Sequence, residues 1–95
     1  MVFEWDEEKN ELNRIKHGIS FQEAESVFDD EYAVYIYDDP HSIDEERFII
    51  IGEDFQLRKM TVCHCYRGIN EDIVRIISAR EANRTEKEIY NRGYA

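Results

Sequence analysis

Lys16-His17-Gly18, Glu45-Glu46-Arg47, Arg67, Arg75 and Ser78-Ala79-Arg80 carry the side chains most able to do chemistry in this sequence. Guanidinium forks hold phosphate oxygens in pairs. An imidazole exchanges protons near neutral pH, and a carboxylate can act as a general base. Gathered by folding, such groups would make a small site for a phosphate ester. Each also has a plainer role. Lys16 and His17 complement a helix dipole, and any single arginine is most often a salt-bridge partner. Among 22 acidic side chains, any one has low odds of being a catalyst. His41, in Asp39-Pro40-His41-Ser42, reads as a loop residue. His64 alternates with Val62 and Tyr66 and reads as a hydrogen-bonded core or interface histidine.

Helices and strands must position these groups. Asp6 is placed to cap a helix that runs to His17, with Glu7 and Glu8 in its first turn and Gly18 at its end. Ser20 and Glu23 have capping-box spacing for a second helix from Phe21 to about Phe28, with Phe21, Ala24, Val27 and Phe28 as its buried stripe. Strands are expected at Tyr32 to Tyr37, Arg47 to Ile51, Leu57 to Tyr66 and Ile73 to Ala79, with Gly52-Glu53-Asp54 as one of the turns. Thr85 and Glu88 suggest a last helix to about Arg92. The expected fold is α+β: two N-terminal helices, an antiparallel sheet of three to four strands with room for a short first strand at Val2 to Trp5, and a C-terminal helix, all helices on one sheet face. Alternation along the last strand places Arg75 and Arg80 on opposite faces unless the chain bends near Ala79.

Ninety-five residues imply one domain over 1–95. Apolar residues make up 42%, with one Trp, five Phe and six Tyr, enough for a core and against disorder. The aromatics Tyr32, Tyr35, Tyr37, Phe48, Phe55 and Tyr66 read as core and interface rather than as a base-stacking platform. No apolar run is long enough to span a membrane. The N-terminus lacks the pattern of a secretion signal, and two cysteines are too few for a disulfide scaffold, so a reduced, cytoplasmic setting is expected. Cys63-His64-Cys65 has metal-ligand residue types but no second cluster to complete a four-ligand site, so neither metal nor other cofactor is expected. The net charge is -10, yet residues 61–95 hold five acidic and six basic side chains. Long-range attraction of nucleic acid is therefore absent, and any such contact must come from a local cluster.

The ordered series Phe3-Glu4-Trp5-Asp6, Lys9, Asn13, Lys16-His17-Gly18, Phe21, Glu23-Ala24, Val27-Phe28 and Asp30, then Asp39, His41-Ser42, Glu45-Glu46-Arg47-Phe48, Ile51-Gly52, Arg67, Arg75-Ile76, Ser78-Ala79-Arg80, Ala82, Glu86 and Tyr90, resembles the BrnT toxin family. The resemblance covers nearly the whole chain. It implies the toxin half of a type II toxin–antitoxin pair, a fold like that of RelE-type ribonucleases, and RNA cleavage without metal. It also implies neutralisation by a BrnA-like antitoxin, dimeric or hetero-tetrameric complexes, and DNA contact only through that antitoxin. The site residues carried over are Lys16, His17, Glu46, Arg47, Arg67, Arg75, Ser78 and Arg80. In the mechanism so implied, His17 or Glu46 takes the proton of a ribose 2′-hydroxyl and arginines stabilise the phosphorane. The alternative is a weak or inactive binding module that captures its antitoxin and tunes operon repression; the acidic charge favours it.

Overall fold

The computed structural model describes residues 1–93, and in it a five-stranded mixed sheet carries helices on both faces. The strands are β1 (Val2–Glu4), β2 (Val34–Tyr37), β3 (Phe48–Glu53), β4 (Lys59–Arg67) and β5 (Ile73–Glu81), in the order β1-β5-β4-β3-β2. β2 to β5 form the expected antiparallel meander, but the sheet gains a fifth strand because β1 lies parallel to β5, Phe3 opposite Val74. Short-range signals do not reveal this pairing, which joins residues some 70 apart in sequence. The turn between β3 and β4 falls later than expected. Gly52 and Glu53 stay in the strand, and Asp54 closes the turn through its N–H to Arg58 O at 3.1 Å and its side chain.

Helix α1 (Glu7–His17) starts where Asp6 accepts hydrogen bonds from the Glu8 and Lys9 N–H groups, and it stops at Gly18, whose φ of 70° suits only a residue free to go left-handed. Helix α2 (Phe21–Glu25) opens on the Ser20–Glu23 capping box and tightens into a 3₁₀ turn at Ser26–Asp29. Both pack on one sheet face. Phe21, Ala24 and Val27 meet Ile50, Met60, Val62, Val74, Ile76 and Ala79 in the core, with Phe3, Trp5 and Phe28 against its rim.

Helix α3 (Arg84–Arg92) departs from expectation twice. Its cap is Asn83 paired with Glu86, not Thr85 with Glu88, because Asn83 holds the extended backbone a cap needs. It also lies on the opposite face from α1 and α2, where Glu86 meets Arg80 and where Tyr90 donates to Asp30 at 2.8 Å and Glu53 at 3.1 Å. Among the described residues α3 is the only α-helix on that face, which also carries an open cleft.

His64 is fully buried, with Phe28, Tyr35, Phe48 and Tyr66 rings around it. Its Nδ1–H donates to Val62 O at 3.2 Å, and Nε2 accepts from the Tyr66 hydroxyl at 3.3 Å. Burial therefore holds the imidazole below its ordinary pKa. The neutral ring's contribution is complete above about pH 6.5, the value for an unfolded histidine, and is lost as pH falls through the depressed folded value. We expect the unfolding free energy of the wild type, measured against His64→Leu, to fall below that pH with a slope of at most about 1.4 kcal/mol per pH unit, the limit for one proton. Urea titrations at pH 7.5, 6.0 and 5.0 check this.

Candidate active site

A β-bulge decides which side chains share the open face. Cys63 lies opposite Ser78, but the next residue, His64, lies opposite Ile76, so Ile77 is the extra residue of β5. The bulge shifts the in–out alternation by one. Val74, Ile76 and Ala79 therefore all enter the helical core, and Arg75, Ser78 and Arg80 all fall on the other face. Simple alternation separates Arg75 from Arg80 unless the chain bends near Ala79, and the bulge at Ile77, two residues before it, supplies that bend.

An open cleft of about 340 Å³ lies on this face of the sheet, lined by Arg47, Ile49, Thr61, Cys63, Ile77, Ser78 and Arg80, with Asp38 and His41 at one side. Arg47 enters from the residue just before β3. Its side chain is half-buried, and its Nε, out of solvent, has no hydrogen-bond acceptor among the described residues. The nearest carboxylate oxygen to it, from Glu45, is 3.9 Å away. Arg80 makes a two-pronged pair with Glu86 at 2.7 and 2.8 Å. Burial works to raise the Glu86 carboxyl, but Arg80 and the Asn83 N–H outweigh it and hold the carboxyl below its ordinary value. Glu86 in turn raises Arg80. Cys63 is no nucleophile here. Burial, with Asp38 adding to it, pushes its thiol up to about 11, so it stays protonated at neutral pH.

Of the eight residues singled out from sequence, Arg47, Ser78 and Arg80 meet in this cleft. Arg75 shares their face but turns to Glu4 at 2.7 Å. Arg67 ends β4 and pairs with Glu45 at 2.9 Å. Glu46 is exposed and lines no part of the cleft; its neighbour Glu45 is the carboxylate beside the arginines. Lys16 and His17 occupy the last turn of α1. His17 lines a separate cleft of about 420 Å³ with Ile19, Leu57, Lys59, Met60 and Lys87, near the β3–β4 turn. The structure thus brings three of the eight together. It adds two that the sequence reading passed over, Asp38 and His41. Their spacing, Asp-x-x-His with Pro40 between, was the available signal, since it matches one 3₁₀ turn.

Among the described residues no three His, Cys, Asp or Glu side chains converge as metal ligands, and no helix is long and apolar enough to cross a membrane.

Residues 5–86 match the family described as ribonuclease toxin, BrnT, of type II toxin-antitoxin system. The 1.1 Å crystal structure of the Brucella abortus ribonuclease toxin BrnT is similar, with a TM-score of 0.65 and 28% sequence identity over 88% of this chain and 100% of that one. No curated protein gives a significant sequence match. The matched stretch runs from Trp5 through the cleft to the Glu86 that holds Arg80, and the chain therefore belongs to the BrnT family of type II ribonuclease toxins.

Proposed function

We propose that this chain cleaves RNA without a metal, using the cleft on the α3 face of the sheet. The observation that carries the reading is the convergence of Arg47, Ser78 and Arg80 on one concave face of an otherwise acidic molecule. An RNA phosphodiester is monoanionic. Two guanidinium groups and a hydroxyl can bind its oxygens and stabilise the added charge of a phosphorane, and donors aimed at developing charge are often the largest single contribution to such catalysis. Arg80 already holds a carboxylate, but it is 41% exposed. The Glu86 side chain is 14% exposed and also accepts the Asn83 N–H at 2.8 Å, so it keeps a partner when Arg80 turns to a phosphate. Arg67 and Arg75 fit the edges of a longer RNA track. Lys16 and His17 line no part of this cleft and suit a flanking contact better than the reacting centre.

The test is incubation of the purified chain with RNA in EDTA. Cleavage supports the proposal and intact RNA refutes it.

One observation favours a second reading. Arg47, Arg67, Arg75 and Arg80 each have a carboxylate of this chain within ion-pair distance. A chain so neutralised would act by binding its antitoxin rather than by cutting RNA. Expression without any antitoxin separates the two, since growth arrest follows from the nuclease alone. Under either reading the partner is a BrnA-like antitoxin in a dimeric or hetero-tetrameric cytoplasmic complex, with DNA bound only through that antitoxin.

A further inference from the structure

The chain between β2 and β3 is built to hold one histidine in one place. The Asp38 N–H donates to Arg47 O at 2.9 Å, which closes the loop at its neck. The Ser42 hydroxyl donates to Asp38 O at 2.6 Å and accepts from the Arg47 N–H at 2.9 Å, which ties the neck again. Within the loop, Pro40 starts a 3₁₀ turn over Asp39–His41, and the His41 N–H donates to Asp38 O at 3.2 Å. This turn folds the imidazole back onto the Asp38 side chain, with Nδ1 at 3.0 Å from each carboxylate oxygen.

Burial is divided unequally within the pair. The Asp38 side chain is 9% exposed, whereas that of His41 is 68% exposed. A hidden carboxylate that accepts the Nδ1–H fixes the neutral ring in one tautomer and leaves the Nε2 lone pair outward. Among the described residues nothing hydrogen-bonds to Nε2, and both residues line the cleft that holds Arg47, Ser78 and Arg80. The other two histidines do not compete. His17 lines the separate cleft, and His64 is fully buried with both ring nitrogens engaged.

We propose that His41 is the catalytic base of this cleft and Asp38 its positioning residue. The assignment rests on the ribonuclease reading above. Nε2 takes the proton of a ribose 2′-hydroxyl, and the freed oxygen forms a bond to the adjacent phosphorus. The bond from phosphorus to the 5′-oxygen breaks, and its electron pair leaves with that oxygen, which takes a proton from water. The hydroxide so formed receives the proton held on His41. The products are a 2′,3′-cyclic phosphate and a 5′-hydroxyl. No oxidant, reductant or metal enters the balance.

The test uses the full chain and an RNA oligonucleotide in EDTA. His41→Gln is expected to lower kcat by about 10²–10⁴-fold. Its KM and melting temperature should stay near wild type, because the ring is exposed. Asp38→Asn should lower kcat by a smaller factor. His41→Ala should regain activity when imidazole is added, which no structural role explains. The pH profile is a further readout. Asp38, Asp44, Glu45 and Arg47 surround the ring, with Arg80 across the cleft. The wild-type pH–rate profile should carry a limb that His41→Gln lacks. If the wild type cleaves and His41→Gln cleaves equally fast, the dyad assignment is wrong and the ribonuclease reading stands. If the wild type does not cleave at all, both fall.

Discussion

Arg80→Ala is expected to reduce RNA cleavage by about 10²–10³-fold, the range for removing one donor aimed at developing negative charge. The effect should appear in kcat, because the guanidinium is needed most when the phosphorane forms. Stability should change less. Arg80 is 41% exposed but Glu86 only 14%, and the pair is two-pronged, so losing the arginine strips a largely buried carboxylate of its partner at a cost of about 1–3 kcal/mol. Glu86 also keeps its second task after the substitution, since its Oε1 accepts the Asn83 N–H at 2.8 Å and holds the start of α3. Arg80→Lys should fall between the two, because it keeps the charge but loses the planar fork. Steady-state kinetics beside thermal melts separate these outcomes. A variant that loses stability but not activity would mean that Arg80 serves only to fasten α3.

The second large effect concerns the fold beneath the cleft. The side chain of Asn13 is buried in α1 and does the work of a missing strand. β1 pairs with β5 only as far as Glu4 opposite Arg75, so the outer edge of β5 is open beyond that point. Asn13 fills the gap. Its Nδ2 donates to Ala79 O at 2.7 Å and to Ile19 O at 2.9 Å, and its Oδ1 accepts from the Ala79 N–H at 3.1 Å. Ala79 sits between Ser78 and Arg80, so this contact also fixes the backbone on which both cleft residues ride. Asn13→Ala would leave three buried backbone groups without partners. Each unmet group costs about 1–3 kcal/mol, and the expected destabilisation is about 3–5 kcal/mol, a large share of the 5–15 kcal/mol typical of a domain. Denaturant unfolding measures it. Asn13→Asp should also destabilise, because the carboxylate has no N–H to donate to Ala79 O and Ile19 O.

Local signals read well in this chain because they rest on neighbouring residues. Asp6, Gly18 and the Ser20–Glu23 pair set the helix ends where their chemistry requires. The four meander strands are aromatic and β-branched runs between turn residues, and they appear within two residues of expectation at every end. Features set by distant residues stayed hidden. β1 is seated by its ladder with β5, Phe3 opposite Val74, and by the Phe3 ring against Phe28, and no local pattern carries that information. The bulge at Ile77 is silent because a β-branched residue looks the same in or out of register, yet it decides that Arg75, Ser78 and Arg80 share a face. The side of the sheet taken by α3 was equally hidden, since it is fixed by Tyr90 and Glu86 reaching residues of β3, β5 and the turn after α2.

The candidate site shows the same division. Residue type pointed to the arginines, and tertiary structure sorted them. His17 drew attention by its place at a helix end, but the helix points it into a different cleft. His41 was passed over as a loop residue, and the loop proves to be a tied turn that places its ring beside the arginines. Charge is the other lesson. The acidic excess behind the net charge of -10 is carried by residues 1–60, and it does not prevent two guanidinium groups from lining one concave face.

The most direct measurement is the chemistry of the RNA ends left by the purified wild-type chain in EDTA. Attack by the 2′-hydroxyl within this cleft predicts fragments that carry 2′,3′-cyclic phosphate and 5′-hydroxyl ends. Intact RNA, or fragments with 5′-phosphate ends, would contradict it.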